Sequence, residues 1–110
     1  MIIVDIINHL TEYLEIHVGT EADTHSTSFV IVEQTGSSRR NHLTTTTFAI
    51  QSHGASMYEA MELNEEVKHA MEAFRAWYKV ARVELMTDYN FTNTETKQYR
   101  WQAVYNITHY

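Results

Sequence analysis

Between residues 56 and 78 the apolar side chains Ala60, Leu63, Val67, Ala70, Met71, Phe74 and Tyr78 recur at three- and four-residue steps. That period puts them on one stripe of an α-helix. Glu59, Glu62, Glu65, Glu66, His69 and Glu72 fall on the opposite, solvated face. Ser56 and Glu59 form a capping box at its start, the serine oxygen accepting from the Glu59 amide and the glutamate reaching back to the Ser56 amide. The early glutamates also suit the positive end of the helix dipole. A helix this one-sided needs a surface to cover, and its flanks read as strands.

A shorter amphipathic helix is predicted over residues 2–15. Ile3, Ile7, Leu10 and Leu14 step along one side with Ile6 and Tyr13 beside them, and Asp5, Asn8, Thr11, Glu12 and Glu15 face away. Gly19 is the nearest stop signal. Residues 16–18 can form a short edge strand and residues 21–28 read as a polar loop. The β-branched run at 29–34 predicts a strand, and residues 35–42, TGSSRRNH, a polar loop. A second strand over 43–53 carries Phe48 and Ile50 on one face and Thr47, Ala49 and Gln51 on the other. The two strands are expected to pair as an antiparallel hairpin.

After the long helix, Ala81, Val83 and Leu85 alternate with Arg82 and Glu84. A polar loop, NFTNTETK, leads to the last strand. There Tyr99, Trp101, Ala103, Tyr105 and Ile107 point one way and Arg100, Gln102, Asn106 and Thr108 the other, with Val104 interrupting the polar set. The expectation is one α+β domain spanning residues 1–110, a mostly antiparallel sheet of four to five strands with one long and one short helix on one face.

Composition changes this picture little. Seven tyrosines, four phenylalanines and two tryptophans belong to a folded chain. No cysteine excludes disulfides and sulfur-ligated zinc. A formal charge of -6 argues against sequence-independent nucleic-acid binding through a basic face. No apolar run approaches the roughly 18 to 20 residues that span a bilayer, and MIIVDIINHL has no basic leader, so neither a membrane segment nor a signal peptide is expected. The seven histidines include no HExxH, and His17, His25, His42 and His53 read as scattered surface side chains in or beside loops and strand ends. The helix glutamates read as a solvated face without a nucleophile beside them. No catalytic residue, metal site or cofactor is expected. Arg39 and Arg40, close to Gly36 in an otherwise acidic chain, are the residues best suited to contact carboxylates on a neighbouring subunit. The glutamate face bearing Glu62 and Glu66 is their complement in charge.

Three stretches taken together, VIVEQTGSSRRN, FAIQSHGASMYEAMELNEEV and VARVELMTDYNFTNTETKQYRWQAVYNI, resemble successive segments of the tail terminator (tail completion) proteins of long-tailed bacteriophages. Glu33-Gln34-Thr35-Gly36 stands for the family's Glu-Arg-Thr-Gly strand end and His53-Gly54-Ala55-Ser56 for its Trp-Ala-Ser-like turn. Tyr89-Asn90-Phe91 opens the Asp/Asn-rich loop, and Tyr99-Arg100 matches the pair on the last strand. The resemblance implies a non-enzymatic virion part, assembled in the host cytoplasm. Its subunits form a ring, commonly hexameric, that caps the tail tube protein and meets the head connector protein. Two alternatives stand beside it: another phage structural part (a head–tail adaptor, minor capsid or tail tube protein), and a small ligand-binding or catalytic α+β domain.

Overall fold

The computed structural model describes residues 1–23 and 25–110. Thr24, within the expected polar loop, lies outside the described residues. Helix α1, Ile2–Leu14, buries Ile6 and Leu10. It ends on Glu15, whose left-handed backbone (φ 57°) lets its amide donate to the Thr11 carbonyl. The stop is therefore a C-terminal cap four residues before Gly19, the expected signal. Strand β1 is the pair Val18–Gly19, shifted from the expected 16–18.

Strands β2 (Phe29–Arg40) and β3 (Leu43–Gly54) pair antiparallel over their whole length. Residues 35–40 are strand, not loop, which corrects the expectation for 35–42. The true turn is Asn41-His42 alone, both at positive φ (52° and 68°), flanked by the pair Arg40 and Leu43. Two residues in this conformation match the right-handed strand twist. The misreading has a physical cause: β2 is solvent-exposed on both faces from Glu33 onward, so no alternation of apolar and polar residues marks it as a strand.

Helix α2, Met57–Ala73, continues into a single 3-10 turn at Phe74–Ala76. Ala60, Leu63, Val67, Ala70, Met71 and Phe74 are buried as expected. Tyr78 is not: the chain turns extended at Trp77, and Tyr78 is 74% exposed. At the start of α2, Ser56 Oγ accepts from the Glu59 amide at 3.2 Å, but Glu59 reaches back to the Ala55 amide (3.0 Å) instead of that of Ser56. Gly54 lets β3 run this close to the helix, since a Cβ there would lie 2.7 Å from the Ala60 nitrogen.

Strands β4 (Val80–Asn90) and β5 (Tyr99–His109) complete a five-stranded mixed sheet in the order β1-β2-β3-β5-β4, with the β1–β2 pair parallel and the other three pairs antiparallel. One core lies between the sheet and the helices. It contains Ile6 and Leu10 from α1, the stripe of α2, and Val30, Val32, Phe48, Ile50, Val83, Ala103, Tyr105 and Ile107 from the sheet. The fold is thus α+β, with one long helix and one short one.

Simple alternation in β4 fails at two register shifts, Val80/Arg82 and Leu85/Thr87. Each adds a residue to one strand and turns the residues beyond it toward the other face. Val80 and Val83 turn toward the core while Ala81 is exposed, and Leu85 stays 40% exposed at the sheet edge. The second shift brings Asp88 opposite Ala103, on the helix-covered side.

Candidate functional site

The arginines expected in a loop stand at the tip of the β2–β3 hairpin, and a third register shift decides where they point. Before it Gln34 pairs with Phe48; after it Gly36 pairs with Thr47, Ser37 with Thr46 and Arg39 with Thr44. The residues opposite one another share a face of the sheet. Arg39 therefore lies on the side that the helices cover, with buried Thr46 and Phe48 along the same line, and Arg40 lies on the open side. Gly36 is on the exposed outer edge, with nothing within 4 Å of where a Cβ would be, so steric need does not explain it. Among the described residues, Lys68, Arg75, Lys79 and Arg82 have carboxylate partners, whereas Arg39, Arg40, Lys97 and Arg100 have none.

At the diagonally opposite corner of the sheet, α2 and β4 diverge to leave a groove of about 230 Å³ with almost wholly apolar walls. Tyr58 (73% exposed), Met61 (44% exposed) and Trp101 form those walls, and Glu62 and Glu65 stand on the rim. Asn64 and Asp88 lie below. Asp88 accepts from Asn64 Nδ2 at 2.9 Å and from Lys68 Nζ at 3.0 Å. Burial pushes the Asp88 carboxyl up, but these hydrogen bonds and the Lys68 charge together outweigh it and hold it below its usual range. Lys68 is raised, first by its contact with Glu65 at 2.8 Å, against the opposing effect of burial. The Asn64 side chain is 1% exposed, yet its Oδ1 has no donor among the described residues.

Glu62 lines this groove. Glu66, one turn on, instead borders a shallow hollow with Tyr13, Leu14 and Glu15. The structure therefore brings Glu62 together with Tyr58, Met61 and Trp101, and separates both glutamates from the arginines of the same subunit. The aromatic and methionine walls were missed in the sequence. Tyr58 and Met61 fall outside the buried stripe of α2, an exposure that was the available signal.

A third feature corrects the view of the histidines as scattered surface groups. His53 is 9% exposed and stacks on Phe29 with ring centroids 4.4 Å apart on the open side of the sheet. Burial and then the nearby Arg100 charge pull its pKa down to about 4. It heads a polar ladder in which Gln51 Nε2 donates to Gln102 Oε1 at 3.0 Å and Gln102 donates to the Tyr89 hydroxyl. A cleft of about 460 Å³ opens beside it, bordered by Gln51, Tyr99, Arg100 and Lys97. His9 was also missed: its Nε2 lies 2.6 Å from the Ala70 carbonyl and its ring packs 5.1 Å from Phe74, tying α1 to α2.

Among the described residues no three His, Cys, Asp or Glu side chains cluster to hold a metal ion, and no helix is long and apolar enough to cross a membrane. No protein-family model and no curated protein matches the chain.

Proposed function

We propose that this chain is a structural subunit that self-associates head to tail into a ring, and that the ring is the tail terminator of a long-tailed bacteriophage. The observation that carries the proposal is the difference between the two ends of the sheet. One side edge is the outer part of β2, past its pairing with β1, exposed from Glu33 onward and tipped by arginines without carboxylate partners among the described residues. The other is β4, which pairs only with β5 and adjoins an aromatic groove with an acidic rim. Two unlike, complementary patches on one subunit favour heterologous contacts, which close into rings when the rotation permits. A two-fold dimer needs a patch that matches itself. The resemblance of the strand ends, turn and closing strand to tail terminator proteins supplies the place of the ring, between tail tube and head connector. A hexamer is the subunit number that this resemblance implies.

Sedimentation velocity of the untagged protein, with negative-stain images, tests the assembly. Rings of uniform diameter that bind the open end of purified tail tubes support the proposal. A protein that stays monomeric at high concentration and also in the presence of tail tubes would overturn it. A second reading is favoured by the cleft at His53, where Lys97 and Arg100 lack carboxylate partners among the described residues: a module binding a small anion. Calorimetric titration with phosphate and with a dicarboxylate separates the two, since only the second reading expects heat from stoichiometric binding.

A further inference from the structure

We infer that the contact between neighbouring subunits is made by Arg39 of one copy entering the α2–β4 groove of the next, while Arg40, its sequence neighbour, stays outside. The inference rests on the ring reading above and names the residues that would make it. Arg39 and the groove both belong to the helix-covered side of the sheet, at diagonally opposite corners. In a ring whose circumference follows the line between those two corners, with the helices in one layer, the Arg39 corner of one copy meets the groove corner of the next. Arg40 belongs to the open side and is carried away from the groove. The register shift at 34–36 makes this assignment, because without it the two arginines would exchange faces.

The chemistry of the groove fits a guanidinium. Tyr58 and Trp101 offer aromatic faces, on which arginine stacks more readily than lysine. Glu62 has no cation within ion-pair distance among the described residues, whereas Glu65 is already engaged by Lys68. Asn64 lines the same groove, and its buried Oδ1 has no donor among the described residues. Tyr58 and Met61, large and exposed on an otherwise charged helix face, are accounted for by cover from a second copy.

The test compares single charge reversals by sedimentation velocity, with circular dichroism melts to verify folding. Arg39→Glu should weaken self-association at least about tenfold, the scale expected when one partner of a covered charge pair is reversed. Arg40→Glu should change it by less than about twofold, as for a solvated charge. Glu62→Arg should weaken it like Arg39→Glu, and combining the two should restore a large part of the loss. Equal effects of Arg39→Glu and Arg40→Glu, or no recovery in the swap, would overturn the contact while leaving a ring-forming subunit in place. A wild-type chain that never self-associates, alone or on tail tubes, would overturn the ring and the contact together.

Discussion

Phe74 closes the core at the point where α2 tightens into its last turn, 1% exposed and packed against the His9 ring and Trp77. Truncating a buried phenylalanine costs about 3 to 5 kcal/mol, from lost transfer energy and the cavity left behind. Phe74→Ala should lower the urea midpoint steeply. Glu66→Ala, on the exposed face, should change stability by less than about 0.5 kcal/mol; comparable shifts in both would mean that the helix does not bury its stripe. His53 adds a pH dependence. Its folded pKa of about 4 lies below its ordinary value of 6.5, so the unfolded chain takes up the proton first. The neutral ring is fully accommodated above pH 6.5, stability falls as pH drops from 6.5 to 4, and below 4 both states are protonated. At about 1.4 kcal/mol per unit the loss is at most about 3.5 kcal/mol. Urea midpoints measured across that window should slope for the wild type and flatten for His53→Phe. A slope unchanged in the variant would assign the effect to other groups.

At the scale of elements, the long helix and the last strand were legible because one side of each is buried, and burial writes a period into sequence. Ala60 to Phe74 carry it at helical spacing, and Ala103, Tyr105 and Ile107 carry it at alternate positions. Legibility fails where the cause of structure is not burial. The outer half of β2 is held by backbone pairing to β3 with solvent on both faces, so its serines and arginines look like a loop. The register shifts in β2 and β4 are one-residue insertions with no side-chain signature, yet they decide that Arg39 and Asp88 face the helix side. The charges of the candidate site were visible in the sequence, whereas its groove was not. Tyr58, Met61 and Trp101 converge only once α2 crosses β5 and stops short of β4. The turn offers a direct check of the hairpin. A β-branched residue strongly resists the left-handed conformation of His42, at a cost of roughly 1 to 2 kcal/mol. His42→Val should destabilise the protein by about that much, while His42→Gly should equal or exceed the wild type. Indifference to valine in thermal melts would mean that residues 35–42 are a loop after all.

At the scale of the whole molecule, two electrostatic effects of different range would act on the proposed assembly. Each subunit carries a net charge of -6 and measures 44 × 25 × 21 Å. Neighbours in the proposed ring would therefore repel over distances of tens of ångströms at low salt, while the inferred Arg39–Glu62 contact would attract over a few. Salt separates the two by range. At about 0.01 M the screening length is about 30 Å, long enough for whole subunits to repel one another; at about 0.1 M it is about 10 Å, and most of that repulsion is gone. A charge pair partly enclosed by Tyr58, Met61 and Trp101 is screened much less at this concentration. Near 1 M the screening length falls to about 3 Å, and the attraction weakens as well. Self-association measured by sedimentation velocity should therefore pass through a maximum near 0.1 M NaCl. Arg39→Glu should lower the maximum and leave an association that only rises with salt, because repulsion then acts at every range. If the wild type itself strengthens steadily up to 1 M, apolar burial alone holds the subunits and the arginine is not part of the contact.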